Sequence, residues 1–169
     1  MKCSTKISIV GLLVLSVLPI VLAQHKEERN KKQLTHPPRG CEFNNLVLER
    51  GNREAGDDSI LILIAIRGVN DTKLDVSRRR LLTARAYLTQ YTNLREPANV
   101  IVAEALGDGQ PPYGGVEIYV KGRLFDVLTS GPNLDLGLGA CDSPESDDKE
   151  SREKRALLYP WLYKKRKGF

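Results

Sequence analysis

Histidine is almost missing from this chain. Its 169 residues hold two, His25 and His36, both near the amino end. The shortage removes the commonest general base and the commonest metal ligand from the remainder of the sequence. No Gly-x-Ser-x-Gly elbow or Gly-x-x-x-x-Gly-Lys phosphate loop occurs, and no His–Cys or His–carboxylate set has zinc spacing. Asp57-Asp58 reads as a solvated loop pair and Glu104 as a strand-end carboxylate. The sequence therefore predicts a protein that is not an enzyme, with no catalytic residues, metal or cofactor. A large excess of one charge is also lacking. The net charge of +5 falls to +3 once Lys2 and Lys6 are set aside, with 24 basic against 21 acidic residues. That balance gives no reason to expect nucleic acid as a partner.

No apolar run reaches the ~20 residues of a bilayer span. The longest, residues 7–22, has 16 residues and contains Pro19. With Lys2 and Lys6 before it and the small residues Val21 and Ala23 at its end, it reads as a secretory signal peptide over residues 1–23, cleaved before Gln24. Export to the periplasm, the cell envelope or the medium follows. Cys3 leaves with the signal, so two cysteines remain. An oxidising compartment lets Cys41 and Cys141 bridge, closing a loop of about 100 residues.

Composition divides the exported part. Residues 24–40 are charged and end in Pro37-Pro38-Arg39-Gly40, an expected disordered leader. In residues 41–58, Leu46 to Arg50 suggests no more than one helical turn, limited by Gly51 and Gly56. "SILILIAIRG" (59–68) is apolar on both faces and reads as a central strand. Thr72 and Asp75 have capping-box-like spacing. A helix is expected from Leu74 to Asn93, with Leu74, Leu81, Ala84, Leu88 and Tyr91 as its buried stripe and Arg78, Arg85 and Thr89 opposite. "ANVIVAEAL" (98–106) reads as a strand and "GDGQPPYGG" (107–115) as a loop. "VEIYVKG" (116–122) reads as a strand with Glu117, Tyr119 and Lys121 on its polar face. Gly122 turns the chain into a fourth strand, "RLFDVLT". The expected fold is a small α+β domain over residues 41–141: a mixed sheet of about four strands with one main helix on one face and flexible charged tails.

Two groups of residues are candidates for binding. A guanidinium presents a planar fork that holds a carboxylate with two hydrogen bonds. Arg80 borders the buried stripe near the start of the helix, and Asp71 lies in the preceding loop. There Asp71 is placed to accept from a ligand amine or to orient Arg80, and the two together suit a zwitterionic ligand. The alternative is that Arg78 to Arg80 form an exposed helix face. In the tail, residues 142–169, an acidic stretch (142–153) precedes "KRALLYPWLYKKRKGF". There Trp161 and Tyr163 stand beside Lys164, Lys165, Arg166 and Lys167. Aromatic and basic residues so mixed suit an anionic membrane surface.

"VSRRRLLTARAYL" (76–88) resembles the helix motif Leu-Ser-x-x-Arg-Ala-x-x-Val-x-x-Tyr-Leu of the OmpA-like C-terminal domain family. "VIVAEALGDGQPP" (100–112) is similar to that family's strand and following Gly/Pro loop, and Val116-Glu117-Ile118 to its Val-Glu-Ile strand. The three occur in the family's order. Leu81 stands where the family has Ala, and Gly114-Gly115 where it has Arg-Arg. No room exists for a further helix between Gly107 and Gly115, so the resemblance is to a shortened member. It implies non-covalent association with peptidoglycan, with Arg80 and its nearest acidic neighbour Asp71 gripping the diaminopimelate of the stem peptide.

Overall fold

A computed structural model describes residues 37–105, 112–139, 141 and 149–163. The expected signal peptide (1–23), most of the expected leader, the loop 106–111, the acidic residues 142–148 and Lys164, Lys165, Arg166 and Lys167 lie outside the described residues.

The first described helix, α1, spans Cys41–Ala55, far longer than the single turn expected. Its buried positions are Asn44, Val47, Leu48, Gly51, Asn52 and Ala55. That spacing is one continuous helical stripe. Half of it is asparagine or glycine, so hydrophobicity alone does not reveal it. Gly51 is there because the helix lies close on the sheet: a Cβ would meet Ile118 at 3.0 Å and Phe125 at 3.4 Å. Gly56, at φ +78°, ends the helix by donating its N–H to Asn52 and Arg53 carbonyls, a positive-φ conformation that glycine reaches without a Cβ clash.

Strand β1 (Leu61–Ile66) follows, and then helix α2 (Val76–Ala86), which widens into a π-type turn over Tyr87–Tyr91. A single 3-10 turn (Pro97–Asn99) leads into β2 (Val100–Glu104). Strands β3 (Gly115–Val120) and β4 (Arg123–Thr129) form a hairpin. Its turn residues, Lys121 and Gly122, have φ of +51° and +75°, the left-handed pair that matches strand twist in a two-residue loop. The sheet order is β2-β1-β3-β4, with β1 parallel to β2 and the other pairs antiparallel. The doubly apolar strand is central, flanked on both sides.

The fold is the expected small α+β fold, with more helix than expected. Both α1 and α2 pack on the sheet, against Leu61, Leu63, Val116, Ile118 and Val120, all buried in one core. The capping-box spacing at Thr72 and Asp75 is not used: Asp75 is the N-cap and its side chain makes no capping bond. Leu74 precedes the helix and is 86% exposed, so it leaves the predicted stripe, whereas Leu81, Ala84 and Leu88 are buried as expected.

The tail departs most from expectation. Residues 149–158 form helix α3 (Lys149–Leu158) and residues 160–163 a short turn, α4 (Pro160–Tyr163). Pro160 breaks the helical run as its missing N–H requires, then opens the next turn. Leu158, the last residue of α3, and Tyr159 after it are buried in the main core. The stretch from Gly131, which carries no periodic pattern, is folded as well. It contributes Leu136 and Leu138 to the core, and Tyr159 donates its hydroxyl to the Leu138 carbonyl at 2.8 Å.

Candidate functional site

The Arg80 side chain is the largest fully buried one among the described residues, and Asp71 is buried with it. Arg80 Nη1 donates to Asp71 Oδ2 at 2.6 Å and Nη2 to Oδ1 at 3.0 Å. This is the two-bond fork geometry for holding a carboxylate. Arg80 also donates from Nη2 to the Gly131 carbonyl at 3.0 Å and from Nε to the Leu134 carbonyl at 2.9 Å. Asp71 is satisfied in turn. Its Oδ2 accepts from the Gly68 N–H at 2.8 Å and its Oδ1 from the Asn133 N–H at 2.7 Å. Burial pushes the Asp71 carboxyl up; the Arg80 fork and the Asn133 and Gly68 N–H bonds outweigh it and hold the group below its ordinary value of 3.8.

Two glycines close the remaining side. A Cβ on Gly114 would land on Arg80 Nη1 and Asp71 Oδ2, and one on Gly68 would land on the Gly114 backbone. The pair is thus enclosed by the β1–α2 loop, the approach to β3 and the segment after β4. Of the two expectations for this pair, a fork holding a ligand carboxylate and an Asp71 that orients Arg80, the geometry matches the second. In this structure the carboxylate in the fork is Asp71's own, and neither side chain is exposed. Asn133, at φ +59°, completes the closure: its Oδ1 accepts from Thr72 and Lys73 N–H groups at 2.9 and 2.8 Å. Gly131-Pro132-Asn133 reads locally as a turn, but nothing nearby in the sequence points to its partners Thr72 and Lys73.

No known family, curated protein or solved structure matches this chain. The residues alone therefore carry the argument. Among the described residues, no three of His, Cys, Asp and Glu gather as a metal site would require, and no helix is long and apolar enough to cross a membrane.

The arginine run separates into three environments. Arg78 is exposed. Arg79 pairs with Asp75 at 3.2 Å and Asp135 at 3.1 Å, and its guanidinium stands 5.9 Å from the centre of the Trp161 ring. Arg80 is sealed. Of the tail aromatics, Trp161 is half-buried and turned towards the domain, edge-on to Tyr159 with ring centres 5.8 Å apart. Tyr163 remains 43% exposed. Cys41 and Cys141 are joined by a disulfide, with Cα atoms 5.4 Å apart. It ties the start of α1 to the chain beyond Gly139, beside Asn45, which donates to Cys141 Sγ at 3.2 Å and accepts from the Gly139 N–H at 3.2 Å.

A second buried guanidinium escaped sequence reading. Arg95 donates from Nε to Asn52 Oδ1 at 2.6 Å, from Nη2 to the Asn52 and Gly56 carbonyls at 3.1 and 2.8 Å, and from Nη1 to the Ser59 carbonyl. It covers the carboxyl end of α1, where unpaired carbonyls and the helix dipole attract a cation. Burial pulls its pKa below the ordinary value, opposed by the charge of Asp57. Glu117 also differs from expectation. It sits on the strand face read as polar, yet is fully buried and accepts from the Tyr119 hydroxyl at 2.8 Å.

Proposed function

We propose that this chain is an exported, non-enzymatic protein of the cell envelope that engages an anionic envelope component at its surface, with the α+β unit as its scaffold. The observation that carries this reading is the closure of the Arg80 fork on Asp71. A guanidinium that already holds a carboxylate and two carbonyls is a fastener between three segments, which moves recognition to the periphery. The disulfide between Cys41 and Cys141 supports export, because such bonds persist where thiol reductants are scarce.

A second reading is favoured by the same geometry. The fork of Arg80 takes a carboxylate with two bonds, as the resemblance to peptidoglycan-associating domains would require. It needs Asp71 to give way to a diaminopimelate carboxylate. Co-sedimentation separates the two. The scaffold reading expects the protein to pellet with purified peptidoglycan or with anionic vesicles, less so as salt rises. It also expects a soluble stem peptide bearing diaminopimelate to leave that binding unchanged. Displacement by the peptide would replace the scaffold reading with the second one. Absence from both pellets would overturn both.

A further inference from the structure

The two edges of the sheet are finished differently. At β4, Arg39 donates its N–H to the Thr129 carbonyl at 3.4 Å and its Nη1 to the Val127 carbonyl at 3.3 Å. A bulge at Ile118/Tyr119 also interrupts the β3–β4 register. Covering and bulging both keep a further strand from adding to an edge. Among the described residues, β2 has neither. Its sequence, Val-Ile-Val-Ala-Glu, holds no proline or lysine and carries one charge, at its end. The next residue, Ala105, donates its N–H to the Ala65 carbonyl at 2.9 Å. Alternation then turns the backbone groups of Ile101 and Ala103 towards β1 and those of Val102 and Glu104 outward. The Val102 N–H and C=O, the Glu104 N–H and the Val100 C=O have no partner among the described residues. On the sheet face away from the helices, Ile101 is 47% exposed, beside its β1 neighbour in register, Ile62.

Charge makes this edge complementary to itself. Helix α2 joins two parallel strands, so it runs opposite to them and its last turns lie beside the start of β2. Helix α1 packs on β3 and β4, and α2 on β1 and β2. Tyr87 reaches towards α1, donating its hydroxyl to Glu49 at 2.7 Å. Arg85, two residues earlier and so about 200° round the helix, is on the opposite flank, above the β2 edge. Glu104 alternates with Val100 and Val102, which pack in the core, and so points to the same helix face. Neither Arg85 nor Glu104 makes an ion pair among the described residues.

We propose that two copies of this chain pair antiparallel through β2, about a two-fold axis at Val102, and join their sheets into one. The Val102 N–H then donates to the Val102 carbonyl of the second copy, and the Glu104 N–H to its Val100 carbonyl, each bond repeated by the axis. On the open face, Ile101 of one copy meets Ala103 of the other. On the helix face, Glu104 of one copy comes opposite Val100 of the other and within reach of its Arg85. The two Glu104 side chains stay at opposite ends of the seam, so no like charges meet. A two-fold pairing of one patch with itself closes at two copies, and the edge is used up rather than extended. This goes beyond the engagement of an anionic component and does not depend on it.

The test uses the chain from Gln24 onward, since the apolar run 7–22 would itself drive association. Every described residue is retained. Sedimentation equilibrium from low to high micromolar protein should show monomer giving way to dimer. Amide exchange followed by NMR should slow at Val102 and Glu104 as the dimer forms, and change little at Ile101 and Ala103, which already face β1. Val102→Pro removes an outward N–H, at an edge position where proline is tolerated. It leaves carbonyls in the seam unpaired and should weaken dimerisation on the order of a hundredfold. Glu104→Arg turns both symmetry-related ion pairs into repulsions and should weaken it about tenfold. Adding Arg85→Glu should restore it, which would not repair a merely structural defect. Monomer at every concentration overturns the proposal, as does a dimer that Val102→Pro leaves intact. A dimer whose Val102 and Glu104 amides exchange as fast as in the monomer overturns the β2 seam. A Glu104→Arg variant that dimerises like wild type, or that Arg85→Glu does not rescue, overturns the two-fold at Val102.

Discussion

Arg80 and Arg95 are both buried cations in a small domain, yet they are satisfied in opposite ways. Arg80 meets a full counter-charge, the Asp71 carboxylate, and two carbonyls from the segment after β4. Arg95 has no carboxylate in its fork. It donates four bonds to neutral groups at the end of α1 and the following loop. The first joins parts of the chain more than fifty residues apart; the second returns from residue 95 to fasten residues 52–59. A buried charge thus needs acceptors in the right places, and a helix end supplies them as well as an acid does, though with a weaker field.

The strongest way to break the comparison is to give Arg80 the neutral environment of Arg95. Asp71→Asn keeps the shape but replaces one acceptor oxygen with a donor. That donor would face the Asn133 or Gly68 N–H or the guanidinium itself, leaving a buried charge uncompensated. Breaking a buried pair from one side costs about 3–5 kcal/mol, to be read from urea unfolding at neutral pH. The cost should also depend on pH. Asp71 is held below 3.8 in the folded state, so the folded protein binds fewer protons there than the unfolded chain. The pair's contribution is complete above 3.8 and is lost as pH falls through the lower folded value. The gap between wild type and Asp71→Asn should therefore narrow in strong acid. A gap that stays constant would mean that Asp71 does not titrate as the structure requires.

Arg95→Met removes the other cation while keeping much of its bulk. The expected loss is about 2 kcal/mol, the upper end for a partly buried cation at a helix carboxyl terminus. It should vary little over the acid range in which the Asp71→Asn gap closes. A loss as large as that of Asp71→Asn would show that the helix end is as strong a partner as a carboxylate.

The contrast also explains what could be read from the sequence. The sheet was legible because Ile60 to Ile66 form an unbroken aliphatic run of strand length and Val116 to Val120 alternate apolar with polar residues. Arg80 was legible as an unusual residue because it borders an apolar stripe. Its state was not, since closure depends on Gly131, Asn133 and Leu134, more than fifty residues away. Arg95 was invisible for a related reason: apart from the Asn52 side chain, far off in the sequence, its partners are backbone carbonyls, which every residue has. Helix α1 was hidden because Asn44, Gly51 and Asn52 occupy its buried face. Asn44 is there to donate to the Thr129 and Leu136 carbonyls, both at 3.1 Å. Leu158 and Tyr159 were misread as part of a loose tail because the surface they fill is built from Leu138 and Gly139, in a stretch with no periodic pattern of its own.

The mildest test moves Arg95 towards Arg80. Asn52 Oδ1 already accepts from Arg95 Nε at 2.6 Å, so Asn52→Asp would put a carboxylate there without changing shape. Two effects compete. A hydrogen bond to a charged acceptor gains roughly 1 kcal/mol over a neutral one. Against that, Asn52 lies in the last turns of α1, where a negative charge opposes the helix dipole by about 0.3–1 kcal/mol. The charge of Arg95 stands between the new carboxylate and the helix end and offsets most of that repulsion. The net should be a stabilisation of a few tenths of a kcal/mol at neutral pH, following the difference between the two terms. It should disappear as the new carboxylate protonates, giving the Arg95 region an acid dependence like that expected of the Asp71–Arg80 pair. If Asn52→Asp is destabilising, and more so as pH rises through the titration of the new carboxylate, the helix dipole outweighs the pair. Neutral acceptors would then be the better partners for a cation at this helix end.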